Sequence, residues 1–343
     1  MKIKHFLLFL TAFTLLTVSC DDDNENEGNG GSIPEGALPS KEFSPNSLND
    51  EPYAESAVKY VTQGEDNAPF QSIEFLPDGH YLMMADKGLF AKSGKVSVAV
   101  SGNRLNIAKR GNRLAIKPAT TRSGDETVSF GKGNEYGTYT KSGDNKYVLS
   151  SGAVLEIIEE TGSNSTISYL DRNGIISTVY VNTAEKTVDD ATRSLCRTWN
   201  INSIEVWGYV NSAYMVYGKQ TISNGKAKTE IKFSPNFDEE LEMDDFIDVD
   251  SEAAYQVVFT SYGTYIVSYL DGETELALWN WTDKSQGILH YEDNKGYDYD
   301  YDWLGECTVR FAGKQMRIYE DYTGIEGGLT YRIIGVNTLT AKH

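Results

Sequence analysis

Hydrophobic side chains recur at every second residue along much of this chain, in short runs closed by turn residues. Tyr255, Val257 and Phe259 follow this spacing, as do Tyr265, Val267 and Tyr269, with Ser261-Tyr262-Gly263 between them as a hairpin turn. Trp279 and Trp281 share one strand face, and Val309, Phe311, Met316 and Ile318 flank the turn Ala312-Gly313-Lys314-Gln315. Leu195 to Ile201 predicts an opening strand, Val206 to Tyr217 its partner, and Tyr331 to Val336 a closing strand. The reading is an all-β protein of two β-rich units, each a barrel or a sandwich.

The first half echoes the second. Ile73, Phe75, Gly79 and Tyr81 repeat the spacing of Val257, Phe259, Gly263 and Tyr265, and Leu76-Pro77-Asp78-Gly79 is turn chemistry. A second echo competes: Tyr136-Gly137-Thr138-Tyr139 matches Tyr262-Gly263-Thr264-Tyr265 letter for letter. Only one of them can be the counterpart of that hairpin.

Composition adds direction. Among 343 residues, 50 are Asp or Glu and 31 Lys or Arg, a net charge of -19 that argues against a nucleic-acid partner. The 22 Tyr favour strands. Lys2 and Lys4 precede the apolar run Phe6 to Val18, which is too short to span a bilayer as a helix. The run ends Leu16-Thr17-Val18-Ser19-Cys20, which resembles a bacterial lipobox, although Thr17 stands where Leu is usual. Asp21-Asp22-Asp23-Asn24-Glu25-Asn26-Glu27 then resembles the surface-export signal of Bacteroidota lipoproteins. Together these imply lipidation at Cys20 and an outer-membrane, surface-exposed location. The expected organisation is a signal peptide over 1–19, an acidic flexible tether over 20–50, a β domain over 51–190 and a second over 191–343.

The second domain resembles the lipocalin-like domains of uncharacterised Bacteroidota lipoproteins. Trp199 on the opening strand carries the resemblance, with Phe259-x-x-x-Gly263-x-Tyr265, Trp279-x-Trp281 before the Asp283 to Gly287 turn, and Val309-x-Phe311-Ala312-Gly313-Lys314. The resemblance implies a small barrel with room for one apolar ligand.

Chemistry is sparse. The mature chain keeps His80, His290 and His343, and it holds no zinc-protease, serine-hydrolase or phosphate-loop motif, so no catalytic residue, metal or cofactor is assigned. Cys196 and Cys307 are either a disulfide or two buried thiols. Nine acids between Asp238 and Glu252, and Asp293 to Asp302, are oxygen-rich loops that offer calcium ligands or simply solvated charge. Lys87 to Arg122 holds nine bases and no acid, with Gly102-Asn103-Arg104-Leu105-Asn106-Ile107 repeated at Gly111 to Ile116.

Trp199, Trp207, Trp279, Trp281, Trp303, Tyr299 and Tyr301 are candidate ligand contacts, with core packing as the ordinary alternative. The expected function is non-catalytic binding at the cell envelope, of a small apolar ligand or a surface protein. A carbohydrate-binding lipoprotein and a carboxylate-dependent hydrolase are the rivals.

Overall fold

The structure is a computed structural model that describes residues 32–45, 53–64, 68–85, 117–119, 127–129, 135–186, 188–235, 253–270, 272, 274–293, 306–326 and 329–342. It is all-β, with two short helices, α1 (Tyr53–Ser56) and α2 (Asp190–Leu195). The first unit holds β1 (Val58–Thr62), β2 (Ser72–Phe75), β3 (His80–Met84), β4 (Lys117–Ala119), β5 (Thr127–Ser129), β6 (Glu135–Lys141), β7 (Lys146–Leu149), β8 (Val154–Thr161), β9 (Asn164–Leu170) and β10 (Ile176–Thr183). The second holds β11 (Thr198–Val210), β12 (Ala213–Ser223), β13 (Lys226–Phe233), β14 (Ala254–Phe259), β15 (Thr264–Tyr269), β16 (Thr274–Asp283), β17 (Ile288–Asp293), β18 (Glu306–Ala312), β19 (Gln315–Glu326) and β20 (Leu329–Ala341).

Each unit closes on itself as an eight-stranded antiparallel barrel. In the first, β1 pairs with β10 and β3 with β6, leaving β4 and β5 as an appended hairpin. In the second, β11 pairs with β14 and β20, and β12 and β13 are the appendage. Strand alternation drives the closure. On β9, Ser165, Ile167 and Tyr169 are buried while Asn164, Thr166 and Ser168 face outward. An eight-stranded barrel is just wide enough for side chains to fill. Phe70, Ile73, Phe75, Tyr81, Tyr147, Leu155, Ile167, Tyr169 and Val179 occupy the first interior.

Two expectations are corrected here. Leu195 belongs to α2, which Asp189 caps by accepting from Thr192 N at 2.8 Å. Val206 to Val210 continue β11, and the partner strand starts only at Ala213, because Asn211 and Ser212 both take positive φ and make the turn.

The barrels are two versions of one plan. Tyr60 pairs with Ile73 and Thr183, and Trp199 pairs with Val257 and Ala341. Tyr139 N donates to Gly79 O at 2.7 Å, and Trp279 N to Gly263 O at 2.8 Å. Even the side chains agree: Tyr139 OH donates to Leu76 O at 3.0 Å, and Trp279 Nε1 to Thr260 O at 3.1 Å. Gly79 and Gly263 both take positive φ in these turns. The Ile73 to Tyr81 echo is therefore the structural one. Its competitor, Tyr136 to Tyr139, lies within β6.

The barrels meet through these same hairpins. Leu76, Leu82, Met84 and Tyr136 of the first pack with Val258 and Ile266 of the second. Residues 32–45 form a strap across the second barrel. Ile33 and Ala37 pack with Tyr209 and Ile334, Arg310 Nε donates to Ser40 O at 2.8 Å, and Phe43 packs beside Trp281 and Phe311.

Candidate functional site

Three places hold the chemistry: the second barrel's interior, the junction, and the bare outer wall of the first barrel. In the second interior, Trp199 is fully buried and its Nε1 donates to Leu195 O at 2.8 Å. Trp279 is buried edge-on to Phe259, and Trp281 Nε1 donates to Thr192 Oγ1 at 3.1 Å. These three ring systems belong to the packing that closes the α2 end of the barrel, so they make no exposed sugar-stacking row. Trp207 lies outside, 5.4 Å from the Tyr217 ring. Trp303, Tyr299 and Tyr301 lie outside the described residues, as do Cys20, the acidic run from Asp238 to Glu252 and the Gly102 and Gly111 repeats.

Cys196 and Cys307 form no bridge: both are free and buried. Each packs as a small apolar side chain in the second core, and burial pushes both thiols up. Among the described residues, no group of three or more His, Cys, Asp or Glu is arranged to hold a metal.

The junction concentrates titratable groups. Glu74 is 1% exposed and lies 4.0 Å from Lys59 Nζ, and it accepts from Thr264 Oγ1 at 3.3 Å. Burial pushes its carboxyl up, against the pull of Lys59, Thr260 and Thr264. Asp78 is also pushed up by burial. Hydrogen bonds from His80 and Thr198 outweigh that push and hold it below the ordinary value. Lys186 Nζ donates to Glu55 O and Ala57 O, and Arg193 pairs with Glu55 and Asp190. Every one of these groups has an opposite charge or a hydrogen bond supporting the junction, so it reads as structural glue. The sequence signal for it was faint, since Glu74 sits alone between Ile73 and Phe75.

The outer wall of the first barrel is different. Ile158 on β8, Ile175 at the β9–β10 turn, and Ile176 and Tyr180 on β10 are all more than half exposed. Register places Ile176 opposite Leu170, which faces Val154, and Tyr180 opposite Thr166. The result is two apolar patches on one outer face, Ile176 with Leu170 and Val154, and Tyr180 with Ile158, with the row Thr178, Ser168 and Glu156 between them. The sequence reading missed them, because outward residues on these strands look like any alternating pattern.

The matching wall of the second barrel is covered. Ile176 pairs with Leu170 as Ile334 pairs with Asp321, at the same place in the closing pair of strands. Ile176 is 70% exposed, whereas Ile334 is 0% exposed beneath Ile33 and Ala37 of the strap.

No family model matches the chain, and no curated protein matches it. Among solved structures, the chain is similar to isotype 1 transferrin binding protein B from serogroup B Neisseria meningitidis. The identity is 10% and the TM-score 0.16, over 84% of this chain and 64% of that one. The chain thus spans less than two thirds of that protein's length, and likeness at this level fixes neither fold nor activity. No helix among the described residues is long and apolar enough to cross a membrane.

Proposed function

We propose that this is a non-catalytic binding protein of the cell envelope, lipid-anchored through Cys20 at the outer membrane. The wall of its first barrel docks an extended, aliphatic segment of a protein partner. The observation that carries this reading is the contrast between Ile176 and Ile334. The chain itself demonstrates what covers such a wall: a strap with Ile33 and Ala37 laid across the strands. Exposed aliphatic patches on a barrel's outer face are costly in water and mark a contact surface.

The test is photo-crosslinking in the native host, with a photoreactive residue at 176 or, as control, at Asn224 on the β12–β13 turn. A discrete adduct at 176 that Tyr180→Glu abolishes supports the reading. Adducts of equal yield at both positions, or only with a second copy of the chain, would overturn it. The anchor has its own check: Cys20→Ala must lose palmitate labelling and leave the membrane fraction.

A further inference from the structure

The interior of the second barrel contains a side chain that packing does not explain. Asn337 on β20 is 1% exposed, and neither its Nδ2 nor its Oδ1 has a hydrogen-bond partner. It shares its strand face with Leu339 and Ala341 of the core, and its paired neighbours are Ile204 and Ile318. The carboxamide therefore points into an apolar interior with all its hydrogen-bonding capacity unused. Such a group costs stability unless something occupies it.

Neighbouring positions repeat the departure. Glu320 on β19 is buried opposite Gly335, and its Oε2 would lie 3.2 Å from a β-carbon placed there. Cys307 on β18 is buried one step beyond the Thr308–Tyr319 pair, beside Glu320. Chain register identifies the counterparts in the first barrel as Val179, Tyr169 and Leu155. All three are buried in its apolar core. One barrel plan thus carries a hydrocarbon and aromatic layer in the first copy, and a carboxamide, a carboxylate and a thiol in the second.

We infer that this layer is a binding site for a small molecule presenting a cis-amide edge, an N–H beside a C=O, as lactams and pyrimidine rings do. The ligand C=O accepts from Asn337 Nδ2 and its N–H donates to Asn337 Oδ1, a paired arrangement that a cis-amide completes. Glu320 lies at the same level to accept a second N–H. This site is independent of the outer wall, and either can fail alone.

Uracil and 2-piperidone are the probes, with 1,3-dimethyluracil and N-methyl-2-piperidone as counterparts lacking the N–H. Ligand-observed NMR on the full chain reads binding. The expected result is millimolar binding of both N–H probes and none of the methylated forms. Asn337→Val, which installs the residue found at position 179, should stay folded and weaken binding by about tenfold or more. Glu320→Gln, of the same shape, should bind 2-piperidone as before and uracil more weakly. Equal binding of methylated probes, unchanged affinity in Asn337→Val, or no binding of either N–H probe each overturns the inference. The last outcome would make Asn337 a holder of buried water.

Discussion

Asp78 and Tyr262 occupy the same place in their two hairpins, and each reaches across to the other barrel. Asp78 Oδ2 accepts from Thr198 Oγ1 at 2.7 Å, and the Tyr262 ring lies under Lys59 Nζ at 5.8 Å. Lys59 and Thr198 are themselves counterparts, since Ala184 N donates to Lys59 O just as Lys342 N donates to Thr198 O. The junction is thus reciprocal in the manner of a two-fold dimer, with both halves on one chain. Its two copies have diverged chemically: a carboxylate–hydroxyl hydrogen bond stands where the other has a cation over an aromatic ring.

Glu74 makes that junction sensitive to pH. Its carboxyl is raised by burial, so the folded state holds the proton more tightly than the unfolded chain. The associated stability is complete below the ordinary carboxylate range and is lost as pH rises through the raised value. Glu74→Gln should therefore raise the unfolding free energy at neutral pH, by about 1–2 kcal/mol, with the gain vanishing in acid. Urea melts across the acid-to-neutral range would show it. A variant weakened at neutral pH would reverse the sign.

Gly287 and Phe43 fit only each other. Gly287 takes φ +63 in the β16–β17 turn, and a β-carbon there would lie 2.7 Å from Phe43 Cε2 and 2.9 Å from its Cγ, closer than packing allows. Gly287→Ala should cost about 1–3 kcal/mol through strain and loss of the strap contact. Phe43→Ala in the same background should add little more. A thermal-melt cycle of the two variants measures the coupling.

The paired isoleucines give a sharper contrast. Ile334→Ala should destabilise by about 2–5 kcal/mol, because a cavity opens under the strap. Ile176→Ala, on the bare wall, should stay within about 0.5 kcal/mol. Chemical denaturation of both suffices, and equal costs would mean that the wall of the first barrel is covered too.

Both thiols should be silent in the native state. Burial pushes Cys196 and Cys307 up, leaving no thiolate to react near neutral pH. A thiol reagent should label neither until denaturant is added, after which both react.

Much of the barrel pattern was legible in the sequence, because β14, β15, β16 and β18 place large side chains at alternate positions and break at glycine turns. Alternation reports which faces are buried; it does not report what buries them. That is why Val258 and Ile266, outward on their strands, gave no sign of the first barrel packed against them, and why Trp199 and Trp279 stood as candidate ligand contacts although core packing was the ordinary reading. Asn337 was invisible for a related reason. A lone Asn between Val336 and Thr338 reads as an exposed strand residue, and only the register with Ile318 and Ile204 turns it inward. The strap was read as linker from its Gly, Pro and Ser, although Ile33, Ala37 and Phe43 carry its docking.

The strap also imposes an order of assembly. Ala37 precedes Ile334 by most of two barrels in chain order, so the surface that receives it does not exist until β20 is laid down. Non-local contacts of this span are slow to form. Until then the strap stays unpaired, and its seating over Ile334 is the stitch that follows closure of the second barrel.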